Sequence, residues 1–567
     1  MELPRCPITQ DFMSDPVVAA DGQTYERAAI TQWLKNHNTS PLTGALLSSK
    51  VLIPNWAIKQ MIEAYSNPSA SVASISKVAS AAAPMPKIII TQKIIITDDH
   101  KKYLGVELLC DPKSQPATKR KPVILILVID TSGSMGEPGT PYKPDGENDG
   151  FSRLDLVKHS MTTILKSLQP GDKLAIIAFS TEAHLVLDIT EISTNERLIT
   201  LRIDTLEPSG STNIWAGLKM AIDLANRQDN ACNNTSIMLL TDGVSNMNPP
   251  RGILPTFETY FKPMQGRFSI HTFAYGYDVD SALVSQIAAM SQGVFGYIPD
   301  GTMVGTVFIN TMSAILSTVY NDVVIELKRQ RTASGQLEKI YLGSILQDQT
   351  RTILIPYDSA DGVPEYLNLC YNHGVKSIEQ CSSAREIAAP QSDNTVINMI
   401  VKYELTKFLL SCSLLTQYTP DTVSRLEAFI SRFVSYSSDE NPFIRDVITD
   451  CCDEDPNKGQ IGKSIANREW FIKWGHHYLK SVASAYRQEW CLNFKDLSPQ
   501  HFTGSTFETL RAKIEDIFIM IAAPIPSIVD RSYTVISPQG MALAAAAPTP
   551  SQTPASIPQA YYNMSGG

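Results

Sequence analysis

The sequence predicts a multidomain chain of mixed α+β and α/β type. A small N-terminal α+β block precedes a doubly wound sheet inserted in a β-sandwich, and a helical region follows. Three observations carry this. The run VILILVID at 123–130 is apolar throughout, as in a strand buried on both faces. Strand-like and helix-like segments alternate from there to about 317, which implies a parallel sheet with helices on both faces. Short β-type runs lie on both sides of that stretch, and helical spacing takes over from 396.

The elements follow in order. Residues 1–66 form a compact block, and 67–86 (NPSASVASISKVASAAAPMP) have linker composition. KIIITQKIIIT, 87–97, is dense in β-branched residues and reads as one or two strands. Within 121–317, Leu154, Val157, Met161, Ile164, Leu165 and Leu168 recur at helical spacing. Strands are expected at 174–180, 236–242 and 268–277, and helices from about Ile214 and near 281–291. VVIELKR, KIYLGSI, RTILIPY and YLNLCYN complete, with 87–120, one sandwich over 318–395. Residues 396–530 are helical, and the Ala, Pro and Ser-rich tail 531–567 is expected to be disordered.

Composition narrows the function. The 567 residues are 43% hydrophobic and 19% charged, ordinary for a globular protein. With 48 basic and 57 acidic residues the formal charge is −9, which argues against a general nucleic-acid binder. No run reaches the roughly 18 apolar residues of a membrane span. The N-terminus MELPRCPITQDF lacks the apolar core of a secretory signal. Nine scattered cysteines fit a reducing compartment, so a cytoplasmic location is expected, with the nucleus as the alternative.

The N-terminal block begins like a zinc-stapled domain, with Cys6-Pro7-Ile8. After Cys6 the next cysteine is Cys110 and the nearby histidine is His37, too few ligands for a structural zinc site. Asp15-Pro16 and Asp21-Gly22 mark turns around Val17–Ala20, which predicts a hairpin. Thr24 is placed to cap a helix running to about Asn36, with Ile30, Trp33 and Leu34 on one face. Asn55 is placed to cap a second, carrying Ile58, Met61, Ile62 and Tyr65.

Cys6-Pro7-Ile8-Thr9, Asp15-Pro16-Val17, Asp21-Gly22, Thr24-Tyr25-Glu26-Arg27, Trp33-Leu34, Ser40-Pro41-Leu42 and Ile53-Pro54-Asn55 together resemble a U-box, the metal-free relative of the RING domain. The resemblance covers about 5–65. It implies no zinc, with hydrogen bonds and salt bridges in its place, and Asp21, Glu26 and Arg27 are the expected staples. It also implies a ubiquitin transferase that positions a loaded conjugating enzyme without a covalent intermediate. The docking positions for that enzyme would be Ile8, Trp33 and Pro41, while Cys6 is an ordinary core residue. Many such ligases carry a hydrogen-bonding side chain shortly after the second-loop proline; here Gly44 stands near that place. That departure leaves open a non-catalytic scaffold, with the block serving as an interaction or homodimerisation module.

The second constellation is Asp130, Ser132 and Ser134 at the end of VILILVIDTSGSMG, Thr212 in PSGSTNIWAGL, and Asp242 in MLLTDG. All three segments lie where the carboxyl ends of parallel strands gather ligand loops. Two carboxylates and three hydroxyls are hard oxygen donors suited to Mg²⁺, with Mn²⁺ or Ca²⁺ as alternatives. The set resembles the metal-ion-dependent adhesion site of a von Willebrand factor type A domain, a Rossmann-like fold. That resemblance implies one open coordination position, filled by an Asp or Glu of a protein partner. No histidine falls within the three loops, although His184 and His271 could approach, so nothing in the sequence supplies a positioned base for a hydrolytic role.

Trp474-Gly475, His477-Tyr478-Leu479 and Cys491-Leu492-Asn493-Phe494-Lys495-Asp496 are similar to the helical segment that follows such A domains in a family of intracellular proteins. Cys451-Cys452, adjacent to each other and far from His476-His477, are not read as a metal or thiol site, and His476 and His477, on a helix next to aromatics, are read as packed. The function expected is a ubiquitin-protein ligase that grips an acidic substrate or adaptor through a Mg²⁺ site. The alternative is a scaffold that binds protein partners through that metal.

Overall fold

The computed structural model describes residues 5–54 and 88–528, apart from 12, 14, 20, 22, 48, 51, 98–99, 111–119, 141–149, 194, 229–233, 330–336, 358–363, 365, 372–374, 381–384, 388–392, 454 and 456–457. The helix expected from Asn55, the linker 67–86 and the tail 531–567 lie outside the described residues. The chain divides into two units, Met1–Met85 and Pro86–Gly567.

In the first unit β1 (Pro16–Val18) pairs antiparallel with β2 (Thr24–Glu26) and with β3 (Ile53–Pro54). The predicted hairpin is therefore present. One helix, Arg27–Asn36, buries Ile30 and Leu34 against Cys6, Met13, Val17 and Tyr25. It does not begin at a Thr24 cap. Thr24 is spent in the β-ladder opposite Val18, and Glu26 stands at the N-cap without a side-chain cap bond.

The second unit opens with β4 (Ile88–Ile96) and β5 (Lys102–Cys110), so KIIITQKIIIT is one strand. Then comes a six-stranded sheet of β6 (Val123–Asp130), β7 (Lys173–Phe179), β8 (Ala183–Glu191), β9 (Asn234–Thr241), β10 (Ser269–Tyr275) and β11 (Phe295–Ile298). Their spatial order is β11-β10-β9-β6-β7-β8. Every residue of β6 is buried, as its apolar run requires. Leu125, Leu127 and Ile129 pack with helices Arg153–Ser167 and Val304–Ser317. Ile126 and Val128 pack with helices Ile214–Asn226 and Ile253–Phe261 on the other face. The sheet is mixed where the sequence predicts a parallel one. β8 runs antiparallel to β7 because only Ser180–Glu182 join them, too short a link for a crossover.

A sandwich brackets this unit. One sheet is β14 (Thr350–Tyr357), β5, β4 and β17 (Arg385–Ile387); the other is β13 (Glu338–Leu346), β12 (Thr318–Lys328), β15 (Tyr366–Tyr371) and β16 (Val375–Gln380). β5 pairs with β14 across the whole intervening α/β unit, and Leu104, Val106 and Leu108 meet Val323, Ile325 and Leu327 in the core between the sheets. Helices Asn394–Ser413, Asp421–Phe433, Pro442–Cys452, Gln460–Ile465, His476–Gln488 and Ser505–Met520 follow. Ser484 and Ser481 on helix His476–Gln488 accept the free edge N–H groups of β11, from Phe295 at 2.9 Å and Tyr297 at 3.1 Å. Among the described residues no helix is long and apolar enough to cross a membrane.

Candidate functional site

In the first unit, an ion pair and hydrogen bonds tie the hairpin and the second loop together. Arg27 Nε meets Asp15 Oδ2 at 2.6 Å, and Asp15 N–H donates to Glu26 Oε2 at 3.1 Å. Tyr25 OH donates to Asp21 Oδ2 at 2.8 Å, and Ser40 Oγ accepts from Leu42 N at 3.2 Å and Thr43 N at 3.1 Å. Asp21, Glu26 and Arg27 all take part, and their partners Asp15, Tyr25 and Ser40, legible in the sequence only as turn and motif residues, prove to be staples too. Burial alone raises the Asp21 carboxyl; hydrogen bonds from Ser40, Gln23 and Tyr25 outweigh it and hold the group below its ordinary value. Cys6 is fully buried and its Sγ accepts the Glu26 N–H at 3.2 Å.

Ile8 and Trp33 are half-buried and pack against the same small core, and Pro41 is half-buried at the start of the second loop. The Trp33 indole donates to Thr39 O at 2.8 Å and stacks on His37 at 4.2 Å, so this side chain also holds the loop in place. Next to Pro41, Leu42 is 54% and Leu46 83% exposed, two apolar groups that pattern reasoning missed. An exposed leucine in a polar loop carries no periodicity that would reveal it.

In the second unit the sheet order reverses at β6, whose neighbours are β7 on one side and β9 on the other. Asp130 ends β6 and Asp242 follows β9, so the two carboxylates stand at adjacent strand ends at a topological switch point. Asp130 Oδ1 accepts from Ser132 N at 2.8 Å, and Oδ2 accepts from Thr241 Oγ1 at 2.5 Å. Ser134 Oγ donates to Asp242 Oδ1 at 2.7 Å and lies 3.1 Å from Ser132 Oγ. The Thr212 loop is tied in by Gly133 N–H to Gly210 O at 3.1 Å. A Cβ on Gly243 would lie 3.5 Å from Thr212 Oγ1 and 3.9 Å from Ser134 Oγ, so both hydroxyls border one point.

Asp130, Ser132, Thr212 and Asp242 are all buried. Burial pushes the Asp130 carboxyl up to about 6 against the hydrogen bonds from Thr241 and Ser132. Two buried carboxylates and three adjacent hydroxyls form a donor set that fits a hard divalent cation. Asp130, Ser132, Ser134, Thr212 and Asp242 are the residues that would hold it. Such an ion would supply a positive centre able to take a carboxylate from outside.

Three neighbours escaped the sequence reading. Thr241 positions Asp130, Asn246 accepts the Thr212 N–H at 3.0 Å, and Arg153 pairs with Asp242. The motif spacing carries no signal for Arg153, which stands 89 residues from its partner. Neither histidine weighed from the sequence bonds a donor of this set among the described residues. His271, pushed down to about 3 by burial, bonds Ser269 Oγ and accepts from Val294 N, and His184 lies in β8. His477 bonds Ser281 Oγ at 2.6 Å and Tyr277 O at 3.1 Å, and Cys451 is buried.

Family models match a U-box domain over residues 2–70, a von Willebrand factor type A domain over 125–244 and a VWA / Hh protein intein-like domain over 441–516, so the chain carries all three. Among curated proteins it is similar to U-box domain-containing protein 35 of Arabidopsis thaliana, 57% identical over 53 residues, which is 9% of this chain and 6% of that protein. It is also similar to the uncharacterized protein YfbK of Escherichia coli (strain K12), 27% identical over 237 residues, or 41% of this chain and 37% of that one. The chain thus spans well under half of each relative. Among solved structures, a von Willebrand factor type A protein from Catenulispora acidiphila aligns at TM-score 0.47 and 15% identity, covering 71% of this chain and 98% of that one.

Proposed function

We propose that the chain is a ubiquitin-protein ligase of the non-covalent, RING-like kind. Its U-box recruits a ubiquitin-conjugating enzyme over Ile8, Trp33 and Pro41. Its A domain holds Mg²⁺ on Asp130, Ser132, Ser134, Thr212 and Asp242, and that ion takes an Asp or Glu of a substrate or adaptor. The observation that carries this reading is the coexistence in one chain of a matched U-box domain and a clustered set of five oxygen donors at a switch point. The half-buried Ile8 and Pro41, with exposed Leu42 and Leu46, supply the apolar surface such an enzyme needs. Free cysteines, several of them buried, suit a reducing location such as the cytoplasm.

Ubiquitin transfer with purified components tests it. Wild type should build chains with at least one conjugating enzyme, and Ile8→Ala should lower the rate about tenfold or more, the loss expected of an interface anchor. Trp33→Ala needs a melting control because Trp33 also braces the loop through Thr39. No transfer by wild type with any conjugating enzyme sinks the ligase reading. A second reading, a scaffold that binds or homodimerises through the U-box, is favoured by Gly44, which offers no side-chain donor beside Pro41. It predicts metal-dependent partner binding with no transfer.

A further inference from the structure

Arg153 opens helix Arg153–Ser167 beside the metal donors. Its Nη1 donates to Asp242 Oδ2 at 2.7 Å, its Nη2 meets Glu137 Oε2 at 3.1 Å, and its guanidinium lies 5.8 Å from the Tyr275 ring. The two oxygens of Asp242 are therefore divided. Oδ1 belongs to the hydroxyl cluster through Ser134, and Oδ2 belongs to Arg153. The Asp242 side chain is fully buried, that of Arg153 is 20% exposed, and that of Glu137 is 61% exposed. Arg153 Nε is buried and has no acceptor among the described residues.

The pair is not needed to build the local fold. The helix has its own capping box, with Ser152 Oγ accepting from Asp155 N and Asp155 accepting from Ser152 N. Ser134 orients Asp242 without Arg153. What Arg153 contributes is charge. A guanidinium and a divalent ion on one buried carboxylate repel each other, and that repulsion is only partly screened at such a depth. Glu137, exposed on the rim, is the carboxylate able to keep Arg153 when Asp242 turns to the ion.

We propose that Arg153 is a built-in counter-cation that competes with the metal ion for Asp242, with Glu137 as the partner that draws it away. The inference rests on the metal reading above. Ion entry then involves a hand-over from Asp242 to Glu137, and the wild-type site holds its ion weakly. An acidic partner adds the missing negative charge, so ion and partner bind cooperatively, each tightening the other.

Mn²⁺ titration of the full chain, with free ion followed by electron paramagnetic resonance, tests this. Arg153→Gln should bind Mn²⁺ about tenfold tighter than wild type or more, a difference of about 1.4 kcal/mol. Arg153→Lys should stay near wild type because it keeps the charge. Glu137→Gln should bind more weakly, because Arg153 then has nowhere else to go. Arg153→Gln leaves a buried carboxylate without its cation, so the ion-free variant should melt below wild type, and Mn²⁺ should raise its midpoint by more than it raises that of wild type. If Arg153→Gln does not fold without the ion, the exposed Glu137→Gln change carries the test alone. Equal or weaker Mn²⁺ binding by Arg153→Gln overturns the competition while leaving the metal site standing. Mn²⁺ binding by none of the proteins, wild type included, overturns the metal reading and this inference with it.

Discussion

Gly44 has a φ of +72° and its N–H closes the second loop of the U-box onto Ser40 O at 2.9 Å. A Cβ there would meet nothing within 4 Å, so the constraint is the left-handed backbone, not space. An L side chain in that region costs about 1–2 kcal/mol, and Asn pays less than most. Gly44→Arg should therefore lower U-box stability by about 1 kcal/mol in a denaturant melt, and Gly44→Asn by clearly less. Equal losses for the two would point away from the backbone. The absent donor beside Pro41 thus has a physical cause that the sequence could name only as a departure. Cys6 is the converse case: the sequence begins there like a zinc-stapled domain, yet the residue is buried and its sulfur takes a backbone N–H.

Between elements, Asp450 on helix Pro442–Cys452 clasps the chain at 497–498. It accepts from Leu497 N at 2.9 Å, Ser498 N at 2.8 Å and Ser498 Oγ at 2.5 Å. Burial pushes its carboxyl up to about 7, with the nearby Asp496 carboxylate as the next cause, and burial raises Asp496 as well. An acid with a raised folded-state value keeps its proton in the folded chain after losing it in the unfolded one. Its contribution to stability is whole below about pH 4 and is lost as pH rises toward 7. Buried His271 and His477, both pushed down to about 3, act in the opposite direction over part of that window. The informative quantity is therefore a difference. The stability of Asp450→Asn relative to wild type should rise between about pH 4 and pH 7 in paired urea melts. A flat difference would show that Asp450 titrates normally.

Across the second unit, Glu489 is the knot. It sits at φ +50° just past helix His476–Gln488. Its Oε1 meets Lys402 Nζ of helix Asn394–Ser413 at 2.7 Å and Arg351 Nε of β14 at 3.6 Å, and its backbone O accepts from Gln349 Nε2 at 2.7 Å. All of these residues are buried, so sandwich and helical region share one carboxylate. Breaking a buried pair by removing one partner costs about 3–5 kcal/mol, because the other charge is left unpaired. Glu489→Gln keeps the shape and should lose about that much in a denaturant melt of the full chain. Arg351 also donates to Leu342 O and Ser344 O, both at 2.9 Å, and Lys402 to Thr352 O, so a loss under about 1 kcal/mol would mean that these carbonyls alone satisfy the two cations.

What the sequence by itself determined was local. The apolar run at 123–130 became the fully buried β6, and the spacing of Leu154 through Leu165 became the buried face of helix Arg153–Ser167. Periodicity records burial, and burial is a property of one segment against any core. The five oxygen donors were legible because they cluster in three short loops. Only the tertiary structure decided who pairs with whom. Local pattern does not encode the loss of Thr24 to a β-ladder or the meeting of Arg153 with Asp242. Nor does it encode the gathering of Lys402, Arg351 and Glu489. Each is a contact between segments whose separate sequences are equally content without it. Its energy exists only once the fold has removed the water between them.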